Sequence, residues 1–219
     1  MGVLLLVRHG QGSLGAANYD ELSELGGRQA RLVGARLAHA DQSVKQVWSG
    51  SLARQRDTAR MIVAELGLPP DELRADDRLD EYDHMGLLAA DGTGDPFTSA
   101  VTPQARRALQ PTLDEAISRW ILGGADYPES HSAFTARVEA VVAELAAKPG
   151  TTMAVTSAGV IAVACARLAG LPADRWPALA RVVVNTSVTT LITGRTGTHL
   201  LTFNDHAHLE ADRSLITYR

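Results

Sequence analysis

Three short stretches carry side chains able to do chemistry together. The first is Arg8-His9-Gly10, directly after the apolar run "VLLLV". The second, "SGSLARQRDTA", holds Arg54 and Arg56, and the third is Thr156-Ser157-Ala158-Gly159. A guanidinium presents a planar fork of N–H donors that matches phosphate oxygens and keeps its charge. Neutral imidazole is a competent nucleophile toward phosphorus. The pattern points to phosphoryl chemistry, with an anion held by Arg8 and an arginine of the second stretch, Arg54 or Arg56, and His9 placed to attack it. A helix beginning after Ser157 would turn its positive N-terminal end toward the same anion.

Such groups need rigid supports, and the sequence predicts them. "VLLLV" is continuously apolar, as in a strand buried on both faces. Ser23 is set to cap a helix carrying Leu25, Leu32, Val33 and Leu37. "VKQVW" reads as a second strand, followed by a helix with Leu52, Ala59, Ile62, Val63 and Leu66, stopped at "GLPP". Strand then helix, twice, marks an α/β domain with parallel strands. A helix from about Thr112 aligns Leu113, Ile117, Trp120 and Ile121, and another near Ser130 aligns Phe134, Val138, Val141, Val142 and Leu145. "TTMAVTS" is a third strand, and "AGVIAVACARLAGLP" a buried helix. "SVTTLIT" and "THLLTF", joined by "GRTG", form a hairpin at the sheet edge. Chemistry in open α/β sheets gathers beyond the carboxyl ends of the strands, where all three stretches fall. The expected architecture is a three-layer αβα sandwich with a mainly parallel central sheet. It forms a single domain over 1–219, with a partly helical insertion at 84–127 roofing the active-site end.

Composition narrows the classes. The chain has 219 residues, with 21 basic against 25 acidic side chains and a net charge of −4. That balance argues against a nucleic-acid or membrane-surface partner. The single Cys165 excludes an intramolecular disulfide and favours a cytoplasmic setting, where it serves as a small buried hydrophobe. No run reaches the ~20 apolar residues of a membrane span.

These motifs together resemble the histidine phosphatase superfamily, which includes the cofactor-dependent phosphoglycerate mutases. Its "RHG" follows the first strand, and "SLARQRDTA" is similar to its "PLxRAxQTA", which assigns the second phosphate-binding arginine to Arg54. "LDEYDH" stands at its "LxE", implying Glu81 as proton donor; "ESHSAFTARV" and "NTSVTTL…FNDHAHL" resemble later segments. One position departs. Where the family writes "V(S/T)HGG", this chain has "VTSAG", with Ser157 in place of the second histidine and Ala158 in place of the first glycine. A branch with "RHGQAS" near the start and "TSGG" here shows a similar pattern. A serine hydroxyl donates a hydrogen bond without positive charge, so a slowed enzyme is expected. Losing an oxyanion donor costs roughly 10²–10³ in rate.

Weaker candidates complete the set. Gln11 and Ser13 follow the nucleophile and are placed to touch phosphate. His84 is a candidate to replace part of the missing imidazole. Arg56 and Arg60 read as solvated helix residues. His206 and His208 would share one strand face, yet no cysteine or carboxylate pattern completes a metal site.

The leading expectation is a phosphomonoester hydrolase working through a phosphohistidine on His9. Arg8 and Arg54 bind the phosphoryl group with help from Ser157 and Gln11, and Glu81 acts as acid and then base. No metal or organic cofactor is required, and the partner is a small-molecule phosphomonoester. A phosphoglycerate mutase-type transferase is the first alternative. A phosphoester-binding or regulatory module with little turnover is the second, favoured by Ser157. No glycine-rich nucleotide loop follows any strand. Neither substrate nor oligomeric state is legible.

Overall fold

The computed structural model describes residues 1–13, 20–40, 43–90, 92, 108, 110–123 and 126–218. Six strands form one sheet: β1 (Gly2–Arg8), β2 (Val44–Ser49), β3 (Leu73–Ala75), β4 (Gly150–Thr156), β5 (Val188–Gly194) and β6 (Gly197–Asp205). Their spatial order is β3-β2-β4-β1-β5-β6. The β3/β2, β2/β4 and β4/β1 pairs are parallel, while β5 runs antiparallel to both β1 and β6. The expected edge hairpin is present, turning at Arg195-Thr196. The three-residue β3, too short to leave a period-2 signature, was not expected.

Helices cover both faces, as in the expected three-layer sandwich. Successive strand side chains point to opposite faces, so β1 serves two cores at once. Leu5 and Val7 pack with Val47, Met153 and Val155 against α1 (Glu24–Ala38) and α2 (Ala53–Glu65). Leu4 and Leu6 pack with Ala154 on the other face, against α5 (His131–Ala146) and α6 (Ala158–Leu168). Burial on both sides explains why "VLLLV" shows no polar alternation.

Between these units lie α3 (His84–Ala90) and α4 (Gln110–Leu122), and the short α7 (Trp176–Ala180) follows α6. Leu87, Leu88, Leu113, Ile117 and Trp120 join α3 and α4 to the second core. The turn-rich stretch "AADGTGDPFTSAVTPQ" lies almost wholly outside the described residues. Cys165 is 2% exposed, and burial pushes its thiol up to about 12. Among the described residues no helix is long and apolar enough to cross a membrane.

Candidate active site

β1 and β4 are the two central strands, in register so that Arg8 pairs with Thr156. The chain beyond each strand is therefore delivered to the same edge, where the His9 N–H donates to the Thr156 carbonyl at 2.9 Å. The far side of His9 is fixed as well. Asn185 Nδ2 donates to the His9 carbonyl at 3.0 Å, and the Thr186 N–H donates to the Arg8 carbonyl at 3.0 Å. Thr186 is fully buried with a φ of 62°. A β-branched residue held there stores about 1–3 kcal/mol of strain, and that strain sits in the turn gripping the β1 carboxyl end.

The hydrogen bonds of His9 define its tautomer. Nδ1 lies 2.7 Å from the Gly10 carbonyl, which only accepts, so Nδ1 carries the proton. Nε2 then holds the lone pair, and Arg54 Nε donates to it at 3.2 Å. Burial pushes the His9 pKa well below its ordinary 6.5, and the charges of Arg54 and Arg8 lower it further against the opposing Gly10 bond. The ring is thus neutral at neutral pH, with its nucleophilic nitrogen facing a guanidinium. Gly10 is needed for the chain's exit, because a Cβ there would stand 2.5 Å from the Gly26 carbonyl oxygen.

Arg54 lies in the first turn of α2 and is 8% exposed. Its Nη1 donates to Asp20 Oδ1 at 2.6 Å, while Asp20 Oδ2 accepts from the Ala53 N–H at 2.7 Å. Thr58, one turn on, accepts from the Gly10 N–H at 3.0 Å and donates to the Arg54 carbonyl at 2.7 Å. Arg8 is 7% exposed, and its Nη1 donates to the Val183 carbonyl and to the Tyr218 carbonyl at 2.5 Å. The C-terminal segment therefore takes part of its bonding capacity, although its charge still reaches His9 and Glu81.

Glu81 follows the short helical turn Asp77–Leu79. Its Oε2 accepts from the Gly159 N–H at 3.0 Å, at the N-terminus of α6, and its Oε1 from the Tyr82 N–H at 3.3 Å. Burial raises its pKa above the ordinary 4.5, opposed by the Gly159 bond, by Arg54, by Arg8 and by the Tyr82 bond. A Cβ on residue 159 would stand 2.2 Å from Glu81 Oε1 and 3.0 Å from the Tyr82 ring. Gly159 is thus what lets the carboxyl approach α6.

The other candidates separate. Ser157 is fully buried, and its Oγ accepts from Gln55 Nε2 at 2.9 Å. Gln55 is itself buried and also donates to the Leu79 carbonyl at 3.1 Å. Gln11 is tied to α1, since its Oε1 accepts from Ser23 Oγ at 3.0 Å and its N–H donates to Gln29 Oε1 at 2.9 Å. The Ser13 N–H donates to the Glu21 carbonyl at 2.7 Å. His84 opens α3, its N–H bonded to the Tyr82 carbonyl at 3.0 Å. Arg56 and Arg60 are exposed as expected, and Arg60 pairs with Asp57 at 2.7 Å.

The shared strand face expected for His206 and His208 does not form. β6 ends at Asp205, after Asn204 takes a φ of 60°, and a short 3-10 turn over Ala207–Leu209 follows. His208 instead packs inward, its Nε2 3.1 Å from Thr186 Oγ1, and burial lowers its pKa to about 4. Among the described residues no group of three or more His, Cys, Asp or Glu could hold a metal ion.

Sequence reasoning missed Asp20, Gln55 and Asn185 as parts of the site, and gave Gly159 no role of its own within the third stretch. Asn185 opens the quoted "NTSVTTL" and Gln55 lies inside the arginine signature, so both were within view. Nothing local marks Asp20.

Comparison with known proteins agrees with this geometry. The sequence model of the histidine phosphatase superfamily (branch 1) matches residues 4–206. No curated protein matches the chain. Among solved structures, a histidine-to-alanine variant of phosphoserine phosphatase from Entamoeba histolytica, in complex with phosphoserine, is similar at 19% identity. Its TM-score is 0.69, covering 95% of this chain and 100% of that one. The mycobacterial glucosyl-3-phosphoglycerate phosphatase is similar at 28% identity and a TM-score of 0.64, covering 94% and 100%. A protein described as mycobacterial hydrolase 1 gives 27% identity and a TM-score of 0.63, over 93% and 99%. The matched span runs from β1 to just past β6 and takes in every strand end described above; the chain belongs to branch 1 of the histidine phosphatase superfamily and is an enzyme of the phosphoglycerate mutase-like kind.

Proposed function

We propose that the protein hydrolyses small phosphomonoesters through a phosphohistidine on His9. The observation that carries this reading is the state of the ring: Nδ1 donates to the Gly10 carbonyl, and Nε2 presents its lone pair beside Arg54. A phosphoryl oxygen takes the Arg54 Nε–H in place of His9, the freed Nε2 lone pair attacks phosphorus, and the ester P–O bond breaks. The leaving oxygen takes the proton that Glu81 holds through its raised pKa. Glu81, now a carboxylate, removes a proton from water, whose oxygen attacks phosphorus. The P–N bond then breaks, releasing phosphate and returning neutral His9.

Arg54 and Arg8 supply the positive charge that offsets the phosphoryl oxygens. The bond of fully buried Ser157 to Gln55, and the bonds of Gln11 to Ser23 and Gln29, give both residues a weaker claim on phosphate than the arginines. The 28%-identical mycobacterial relative acts on a glucosyl-phosphoglycerate, which supports a small, polar phosphomonoester as the substrate class here. In this reading α3 and α4, the described helices of the 84–127 insertion, lie over the site. The Tyr82 ring, next to Glu81, packs tilted against Trp120 of α4 with centroids 5.4 Å apart, which ties that helix to the acid.

The test follows hydrolysis of p-nitrophenyl phosphate by wild type and His9→Ala, with rapid-quench trapping of a phosphorylated protein. Wild type turns over and traps phosphate on His9, whereas His9→Ala does neither. Equal turnover by the two proteins overturns the reading. One observation favours a second reading, a phosphoester-binding module: Ser157 is neutral where the family pattern has a histidine. Phosphate binding without turnover in wild type would select it.

A further inference from the structure

Asp20 belongs to neither arginine motif, yet its carboxylate bridges two groups at the start of α2. Oδ1 takes Arg54 Nη1 at 2.6 Å, and Oδ2 takes the Ala53 N–H at 2.7 Å. Arg54 in turn sets its Nε against His9 Nε2 at 3.2 Å. The three side chains form a line, carboxylate to guanidinium to imidazole. We propose that Asp20 is a positioning residue that holds Arg54 so that its Nε-bearing edge faces the attacking nitrogen of His9. This inference rests on the phosphohistidine reading above.

Two physical consequences support it. An arginine side chain has four rotatable bonds, and ordering it costs up to about 2 kcal/mol of entropy. A carboxylate gripping Nη1 meets that cost before substrate arrives, and the phosphoryl oxygen bound by the Nε edge then lies beside Nε2. Misplacement by about 1 Å at such a site costs on the order of 10²-fold in rate. The second consequence concerns competition. The Leu52 side chain has no oxygen to cap α2, so without Asp20 the Ala53 N–H at that helix start would be open to an anion. Asp20 satisfies the Ala53 N–H, which leaves the Arg54 edge as the nearby place for phosphate. Return of the chain to α1 sets Asp20 there: Gly12 bridges to Leu22, and the Ser23 N–H donates to the Gln11 carbonyl at 2.9 Å.

The experiment compares wild type, Asp20→Ala, Asp20→Asn and His9→Ala in three readouts. These are p-nitrophenyl phosphate turnover, inorganic phosphate binding by calorimetry, and the ¹⁵N shift of His9 Nε2 by NMR. Asp20→Ala is expected to lower kcat about 10- to 100-fold while phosphate affinity stays within about threefold. Its Nε2 resonance should move toward that of an imidazole without the Arg54 bond. Asp20→Asn keeps one acceptor and is expected to fall between wild type and Asp20→Ala, which covers the case where the alanine variant folds poorly. Asp20→Ala with wild-type kcat and an unmoved Nε2 resonance overturns the inference. Loss of turnover together with loss of phosphate binding also overturns it, since Asp20 would then act on binding. If His9→Ala retained wild-type turnover the phosphohistidine reading would fail instead, and the Nε2 shift would still decide whether Asp20 aims Arg54.

Discussion

Gln55 Nε2 donates to Ser157 Oγ at 2.9 Å, and both side chains are fully buried. The family signature places alanine where Gln55 stands and histidine where Ser157 stands. This chain has the reverse arrangement of sizes, a long side chain on α2 facing a short one at the start of α6. The carboxamide fills the volume that an imidazole at 157 would need.

Ser157→His alone is therefore expected to destabilise the protein by about 1–3 kcal/mol through overpacking. Gln55→Ala combined with Ser157→His should recover most of that loss. The double variant should also turn over p-nitrophenyl phosphate about tenfold faster than wild type, because a charge-assisted donor replaces a neutral one. Thermal unfolding and kcat of the four proteins check this. A single Ser157→His variant as stable as wild type would contradict it.

The acid and the nucleophile have pKa values displaced in opposite senses. His9 must be neutral to attack, and its pKa lies well below 6.5 in the free protein, so the rise of kcat/KM with pH should fall below that value. Glu81 must be protonated to donate, and its pKa lies above 4.5, so the fall should come above that value. The expected kcat/KM profile is a bell whose rise lies below 6.5 and whose fall lies above 4.5. With an alkyl phosphate, whose leaving group needs a proton, Glu81→Gln should flatten the descending limb and leave the ascending one in place. A rise centred above 6.5 would contradict the assignment of His9.

Glu81 also links activity to stability. A carboxyl whose folded pKa is raised keeps a proton that the unfolded chain has already lost. Stability then falls as pH rises from 4.5 through the folded pKa. Glu81→Gln removes that pH dependence, so its Tm relative to wild type is expected to be higher at pH 7.5 than at pH 4, while kcat drops. Calorimetric scans of both proteins at pH 4 and pH 7.5 check this.

Gly159 gives a separate test of the acid. A Cβ there would stand 2.2 Å from Glu81 Oε1 and displace the carboxyl. Gly159→Ala should lower kcat by roughly 10², the lower end of what general acid catalysis contributes. Alanine favours a helix over glycine by about 1 kcal/mol, so Tm should hold while activity falls. Equal losses of both would place the effect in the fold.

The sequence by itself determined the supports and the chemical type of the site. Continuous apolarity in "VLLLV" and the periodic helices that follow are local consequences of burial, so β1, α1, β2, α2 and the edge hairpin could be read directly. The RHG stretch marked His9 at a rigid strand end, and the similarity of SLARQRDTA to the family signature singled out Arg54 over Arg56. The short β3 left no pattern, and the strand reading of His206 and His208 failed at Asn204, whose left-handed φ no periodicity reports.

Only the tertiary structure decided who holds whom. Asp20 and Arg54 are 34 positions apart, and Gln55 and Ser157 are 102 apart. Hydrogen bonds act over about 3 Å, and partners so distant in sequence meet only once β1 and β4 lie side by side between α2 on one face and α6 on the other. The charge on each group could be read from its letter. Its protonation state could not, because burial and neighbouring guanidiniums set that after folding.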